Sequence, residues 1–210
     1  MCSLHMKKIK VAINGFGRIG RAYLRLAHAC DDAVVVAVND LMSVETAAYP
    51  LKYDSVHGTF SASVTAEDAV LVVGGTRIPF LSVKTPTELP WRTMDVDVVL
   101  EATGVFASYE KAYMHVVAGA RHVIISAPVK DAPPENVKGD TVLMGVNTDR
   151  AAACTVTSNA SCTTNAVGIP LSVLDRAIGV ESAILTTVHS YTATQQLVDC
   201  LLYTSPSPRD

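Results

Sequence analysis

The run IKVAINGFGRIGRAYLRLAHAC, Ile9 to Cys30, constrains the fold more than any other part of the sequence. A short β-branched stretch leads into three glycines, and the residues after them repeat apolar side chains at helical spacing. This predicts a strand, a tight turn and a helix. Gly15, Gly17 and Gly20 fit G-x-G-x-x-G, in which the first permits the turn, the second lets backbone approach a pyrophosphate, and the third lets helix and strand pack closely. Phosphates would rest on the helix N-terminus, where N–H groups and the dipole favour an anion. A second apolar run, AVVVAV from Ala33 to Val38, lacks alternation, as a strand buried on both faces does, and ends in Asn39 and Asp40. Asp40 either accepts hydrogen bonds from an adenosine ribose or serves as a cap at the strand end. In the first role it repels a 2′-phosphate, so NAD is expected in preference to NADP.

The rest of the chain continues the alternation. AVLVVGGTRIPF reads as a hairpin turning on Gly74 and Gly75, VDVVLEATG as a buried strand, and SYEKAYMHVVAGA as a helix stopped near Gly119. RHVIISAP supplies another strand, and DAPPENVKGD is a loop before a strand over TVLMGVN. CTVTSNA is a short strand, the run from Cys162 to Ile178 can be helical with Pro170 marking a kink or a start, and ESAILTTVHS is a last strand. Strands alternating with helices predict an α/β fold of Rossmann type, with a doubly wound and mainly parallel sheet.

Composition narrows the function. The net charge of -3 and the absence of a dense Lys/Arg block argue against nucleic acid or an anionic membrane as the main partner. Five cysteines form no CxxC pair, so neither a disulfide framework nor a metal site is expected. No apolar run has membrane-spanning length, and MCSLHMKKIK lacks a signal-peptide core. A cytoplasmic setting is expected.

The stretch SNASCTTN, Ser158 to Asn165, sets Cys162 among small polar side chains rather than aliphatic ones. If a helix begins there, its N–H groups and dipole favour the thiolate and could stabilise an oxyanion, while Ser161, Thr163 and Thr164 offer hydroxyls to a phosphate. The plainer reading is a structural cysteine beside helix-capping residues. In TTVHSYTATQ, His189 lies among hydroxyl residues at a strand end, where an imidazole can take a thiol proton; a packed or surface histidine is the alternative.

Six segments in order, INGFGRIGR, KYDSVHGTF, EATGVF, VIISAP, SNASCTTN and TTVHSYTATQ, resemble the phosphorylating glyceraldehyde-3-phosphate dehydrogenases, nearly from Lys8 to Asp199. The resemblance implies NAD-dependent oxidation of glyceraldehyde 3-phosphate to 1,3-bisphosphoglycerate. Cys162 would form a thiohemiacetal and then a thioester, His189 would activate the thiol, and inorganic phosphate would release the acyl phosphate. It further implies Arg18 and Ile19 at the pyrophosphate, Lys84 as a basic cofactor contact, and Thr103, Gly104 and Ser126 along the nicotinamide half. Ser161 and Thr163 would hold the attacking phosphate and Thr192 the phosphate of the substrate. A homotetramer is implied as well. Ala166 departs from the family, which frequently has a second cysteine there; that neighbour is not the nucleophile. Erythrose-4-phosphate dehydrogenase shares much of this architecture, and a non-catalytic NAD-binding module with a redox-sensing thiol is the alternative of another class.

The domain expectation is an NAD-binding domain over residues 1–160 and the start of an α+β substrate domain over 161–199. From Cys200 the sequence reads CLLYTSPSPRD where the family continues into a long substrate domain with a phosphate-binding arginine. Residues 200–210 back-translate to a transposase-type library adapter and are expected to be an artefactual tail on a truncated record. The fragment alone is expected to be inactive.

Overall fold

The computed structural model describes residues 7–190. Its first strand, β1 (Ile9–Asn14), turns through the glycines into α1 (Arg18–His28), and β2 (Ala33–Asn39) follows, so the opening strand–turn–helix–strand stands where the sequence predicts it. Next come α2 (Val44–Lys52), the short pair β3 (Tyr53–Asp54) and β4 (Gly58–Thr59), and then β5 (Val64–Glu67), β6 (Val70–Val73) and β7 (Thr76–Leu81). β8 (Val98–Glu101), α3 (Tyr109–Val117) and β9 (His122–Ile125) continue the winding, before β10 (Gly139–Thr141), β11 (Val156–Ser158) and α4 (Cys162–Ile178).

Nine strands form one sheet in the order β10-β11-β9-β8-β1-β2-β7-β6-β5. From β10 to β7 every neighbouring pair is parallel, and the two pairs at one edge, β7–β6 and β6–β5, are antiparallel. The β6–β7 hairpin turns on Gly74 and Gly75, both at positive φ, as a tight turn between paired strands requires. β1 lies between β2 and β8, so the chain winds outward in one direction, returns, and winds in the other. The carboxyl ends of these strands therefore diverge around a crevice.

The sheet is buried on both faces, which explains the unbroken apolar runs of β1, β2 and β8. Ala12 packs on the side of α3 with Trp91, Val99, Tyr109 and Ile125, while its neighbour Ile13 packs on the side of α1 and α2 with Phe16, Leu24 and Leu51. Consecutive strand residues point to opposite faces, so one short strand serves both cores. Ser43 and Ser108 cap α2 and α3, each accepting the backbone N–H three residues on.

Two predicted strands differ. Of TVLMGVN, only Thr141 belongs to a strand, and the remainder turns into a 3-10 helix over Thr148–Ala153. Asn147 diverts the backbone, its Oδ1 accepting the Leu143 N–H at 2.7 Å and its Nδ2 donating to the Thr141 carbonyl at 2.9 Å. Gly145 completes the turn at φ 81. ESAILTTVHS has no regular structure, and among the described residues no strand pairs with it; a β-rich run forms a strand only when a neighbour takes up its hydrogen bonds. Pro170 sits inside α4 and does not begin it. The chain divides into two compact units, Met1–Ser172, which contains the whole sheet, and Val173–Asp210.

Candidate functional site

The glycine turn is built by close packing at two of its three glycines. Gly15 adopts φ 94, and a Cβ there would lie 2.5 Å from the Thr103 backbone nitrogen; a Cβ on Gly20 would lie 2.2 Å from the Gly15 carbonyl oxygen. Gly17 is different, since a Cβ there would meet nothing within 4 Å. The first and third glycines let the turn close, and the second leaves an open concavity at the start of α1. Gly17 caps that helix without a side-chain hydrogen bond, and no acidic residue stands in the first turn. The positive end of the dipole is thus left for an external anion. Arg18 and Ile19 open the helix beside it, with Ile19 exposed.

Asp40 closes the turn from the end of β2. Its Oδ2 accepts the Phe16 N–H at 2.6 Å and its Oδ1 accepts the Met42 N–H at 3.0 Å. Asp40 thus fixes the turn, and each of its carboxylate oxygens keeps a lone pair for a further donor. A cleft of ≈ 680 Å³ opens here, lined by Gly17, Asp40, Lys84 and Thr103 among the predicted residues, by Asn39, which ends the second apolar run, and by Asn14, which sequence reasoning missed. Gly104 follows Thr103 at φ 74, and Ser126 closes β9 by donating its N–H to the Glu101 carbonyl at 2.9 Å. Asn14 carried one signal: it is the polar residue that ends an apolar strand.

These asparagines belong to a buried network centred on Glu101. Asn14 Nδ2 donates to Glu101 Oε2 at 2.6 Å, and Asn39 Nδ2 donates to Asn14 Oδ1 at 2.7 Å. His115 Nε2 stands 3.1 Å from Glu101 Oε2, while the Thr103 N–H at 2.8 Å and the Thr103 hydroxyl both donate to Oε1. Trp91 Nε1 donates to His115 Nδ1 at 3.0 Å. Because the indole can only donate, that ring nitrogen accepts, and the imidazole proton lies on Nε2, facing the carboxylate. Glu101 and His115 are 1 % and 0 % exposed, so the carboxylate is solvated by these donors in place of water.

The thiol site follows β11. Ala160 takes φ 57, an uncommon backbone for a residue with a Cβ, and Ser161 then caps α4. The Ser161 hydroxyl accepts the Thr164 N–H at 3.0 Å and pairs with the Thr164 hydroxyl at 2.7 Å, while Asn165 Nδ2 donates back to the carbonyls of Asn159 and Ser161. Cys162 is the first residue of α4 and is exposed, and Thr163 beside it is half-buried. Ser161, Thr164 and Asn165 thus hold the helix start around the thiol. Cys154, by contrast, is pushed up from the usual thiol range by burial and by Asp140, and its Sγ donates to the Arg150 carbonyl. His189 lies in the second unit, exposed, with Nδ1 at the Ser190 carbonyl, so Cys162 and His189 belong to different units. Thr192 lies outside the described residues. No helix among the described residues is long and apolar enough to cross a membrane.

Comparison with known proteins agrees with this layout. Residues 9–109 match the NAD binding domain of glyceraldehyde 3-phosphate dehydrogenase, and residues 161–205 match its C-terminal domain. The chain is 46% identical over 194 residues to glyceraldehyde-3-phosphate dehydrogenase 2 of Bacillus subtilis (strain 168), covering 91% of this chain and 55% of that protein. It is 43% identical over 203 residues to the glyceraldehyde-3-phosphate dehydrogenase of Eremothecium gossypii, covering 96% and 58%, and 44% identical over 202 residues to that of Haemophilus influenzae, covering 96% and 56%. The chain belongs to the glyceraldehyde-3-phosphate dehydrogenase family. It spans about half the length of the curated relatives it matches, 55% of the first. The family's NAD-binding region here begins with β1, and its C-terminal region begins at Ser161, one residue before the thiol.

Proposed function

We propose that this chain carries the NAD cleft and the thiol of an enzyme that oxidises glyceraldehyde 3-phosphate to 1,3-bisphosphoglycerate, using NAD and inorganic phosphate. One observation carries the reading: Cys162 begins the helix that follows β11, and β11 runs parallel to the strands whose carboxyl ends form the cleft. The nucleophile and the nucleotide site are thereby built on one edge of one sheet. Gly17 and the start of α1 suit the pyrophosphate, Asp40 the ribose hydroxyls, and Lys84, Thr103, Gly104 and Ser126 the remaining cofactor contacts. A 2′-phosphate would meet the Asp40 carboxylate, which favours NAD over NADP.

In this mechanism the Cys162 sulfur attacks the aldehyde carbon while His189 takes the thiol proton, and the new C–S bond gives a thiohemiacetal. NAD, when bound, supplies the two-electron acceptor. The N–H groups at the start of α4 stabilise negative charge on the former aldehyde oxygen. Once the carbon is at the thioester level, an oxygen of inorganic phosphate attacks it, the C–S bond breaks, and the thiolate leaves as the acyl phosphate departs. Ser161 and Thr163, the sequence neighbours of Cys162, are assigned to that phosphate, and Thr192 to the phosphate of the substrate.

The wider assignments rest on the same family reasoning. Residues 1–160 are assigned to the NAD-binding domain and residues 161–199 to the start of the substrate domain. The parent protein is a cytoplasmic homotetramer with no nucleic-acid or membrane partner. The test is NADH formation by the parent of family length. Turnover that requires inorganic phosphate, prefers glyceraldehyde 3-phosphate to erythrose 4-phosphate, and disappears in Cys162→Ser is expected. NAD binding without turnover would overturn the catalytic reading in favour of a redox-sensing module.

A further inference from the structure

The buried network around Glu101 has a consistent direction. The Val83 N–H donates to Asn39 Oδ1 at 2.8 Å, Asn39 Nδ2 to Asn14 Oδ1 at 2.7 Å, and Asn14 Nδ2 to Glu101 Oε2 at 2.6 Å. From the other side, Trp91 donates to His115, and the proton on His115 Nε2 faces the same carboxylate oxygen. Thr103 donates twice to the second oxygen and accepts the Val105 N–H at 3.0 Å on its own hydroxyl. The donors that link these groups point towards one buried carboxylate, and Asn39 Nδ2 also donates to the Val83 carbonyl at 2.9 Å. Such chains polarise one another, and they oblige each amide to keep one of its two orientations.

Four members of the network, Asn14, Asn39, Val83 and Thr103, also line the cleft. They come from the ends of β1 and β2, the segment after β7 and the loop after β8. We infer that Glu101 is a positioning residue for the cofactor: its carboxylate, as the common acceptor of these donors, sets the orientation of the amides and loops that form the cleft wall, without itself lining the cleft. This inference rests on the cleft being the NAD site.

The consequence of removing the charge can be followed atom by atom. In Glu101→Gln one carboxylate oxygen becomes an NH2 group, which must face donors on either side. If it faces Asn14, the Asn14 amide has to invert, presenting its NH2 to the Asn39 NH2. Asn39 then inverts in turn, and the Val83 N–H loses its acceptor. If the new NH2 faces Thr103 instead, the Thr103 N–H and hydroxyl lose theirs. Either orientation rearranges part of the cleft wall, at a distance from the substituted atom. Asn14→Asp combined with Glu101→Gln relocates the charge from one side chain to its neighbour in the network. The new amide at position 101 then donates its NH2 to the new carboxylate at position 14. The near oxygen of that carboxylate takes the place of Asn14 Nδ2, 3.4 Å from His115 Nε2, and accepts the imidazole proton that Oε2 accepted. The carboxylate still accepts from Asn39, and the amide carbonyl at position 101 still serves Thr103.

The experiment is amide hydrogen exchange on the whole chain, with NAD titration in parallel. In Glu101→Gln, exchange at Val83 or Thr103 is expected to accelerate at least about tenfold, as for the loss of one hydrogen bond to a charged group, while Phe80 and Val137, whose N–H groups bond to the Ala69 and Pro134 carbonyls, keep the wild-type rate. NAD affinity is expected to fall about tenfold, and the double variant to recover the exchange pattern. If Glu101→Gln alone does not fold, the double variant must still fold and show wild-type protection at both reporter amides. Unchanged exchange at Val83 and Thr103, equal acceleration at all four amides, or a double variant worse than the single one would overturn the inference. So would wild-type NAD affinity in Glu101→Gln. Failure of the wild-type chain to bind NAD would instead overturn the assignment of the cleft, while the exchange pattern would still decide the positioning role.

Discussion

At the scale of single residues, the three motif glycines make different demands, and substitution separates them. Gly20→Ala places a Cβ 2.2 Å from the Gly15 carbonyl, so backbone must move. The expected outcome is a loss of about 1–3 kcal/mol of stability together with NAD binding, measured by chemical denaturation and cofactor titration. Gly17→Ala meets nothing within 4 Å and needs no unusual φ. Its stability is expected to change by less than about 1 kcal/mol, while NAD affinity falls because the methyl occupies the space left for the pyrophosphate. Equal effects of the two substitutions on stability would contradict this division of roles. The cysteines allow a parallel comparison. Cys162 is exposed at a helix start, whereas Cys154 is held up by burial. Iodoacetamide is expected to label Cys162 before Cys154, and mass spectrometry of the labelled peptides reads the order directly.

At the scale of elements, the start of α4 depends on a short set of hydrogen bonds, and the β9–β11 strand pair before it depends on a histidine. Ser161→Ala removes the acceptor of the Thr164 N–H and is expected to cost about 1 kcal/mol and to slow alkylation of Cys162, because the helix start frays around the thiol. An unchanged labelling rate would show that the cap does not hold the thiol in place. His122, in β9, is lowered from the ordinary histidine range chiefly by burial; its ring bridges the Cys154 carbonyl at 3.2 Å and the Thr157 hydroxyl at 3.1 Å. The sign follows from which state binds more protons. Below the unfolded value of about 6.5 the unfolded chain takes up a proton that the folded ring resists, so stability is present above that pH and is lost as the pH falls. His122→Gln is expected to remove this part of the acid sensitivity in thermal melts between pH 7 and 5. The elements that were legible in the sequence are those whose pattern is enforced locally. β1, β2 and β8 are apolar because both faces of the sheet are covered, and α4 begins where its capping residues stand. What stayed illegible depends on partners distant in sequence: Asn147 pulling backbone away from a strand, the absence of a pairing strand for residues 181–190 among those described, and the convergence on Glu101 of donors from Asn14, Thr103 and His115.

At the scale of the whole molecule, the sheet and the catalytic apparatus have different requirements. The cleft is assembled entirely within the unit Met1–Ser172, from strand ends already locked by neighbours on both sides. Among the described residues, its lining draws on none beyond that unit, so NAD binding is expected from the chain as it stands. Turnover asks for more, since the proposed base His189 lies in the other unit and the chain covers only 55% to 58% of its relatives' lengths. The helix that carries the thiol also leaves Ile169, Val173, Leu174 and Ile178 between 46% and 79% exposed, an apolar surface of the kind that drives association. The chain is therefore expected to bind NAD, to form no detectable NADH from glyceraldehyde 3-phosphate and phosphate, and to sediment with a concentration-dependent mass. Replacing Val173 and Leu174 by Ser should reduce that association and leave NAD affinity unchanged, because neither residue lines the cleft. Monodisperse chain with family-like turnover would mean that these two units alone complete the site; association unaffected by the serines would mean that another surface drives it.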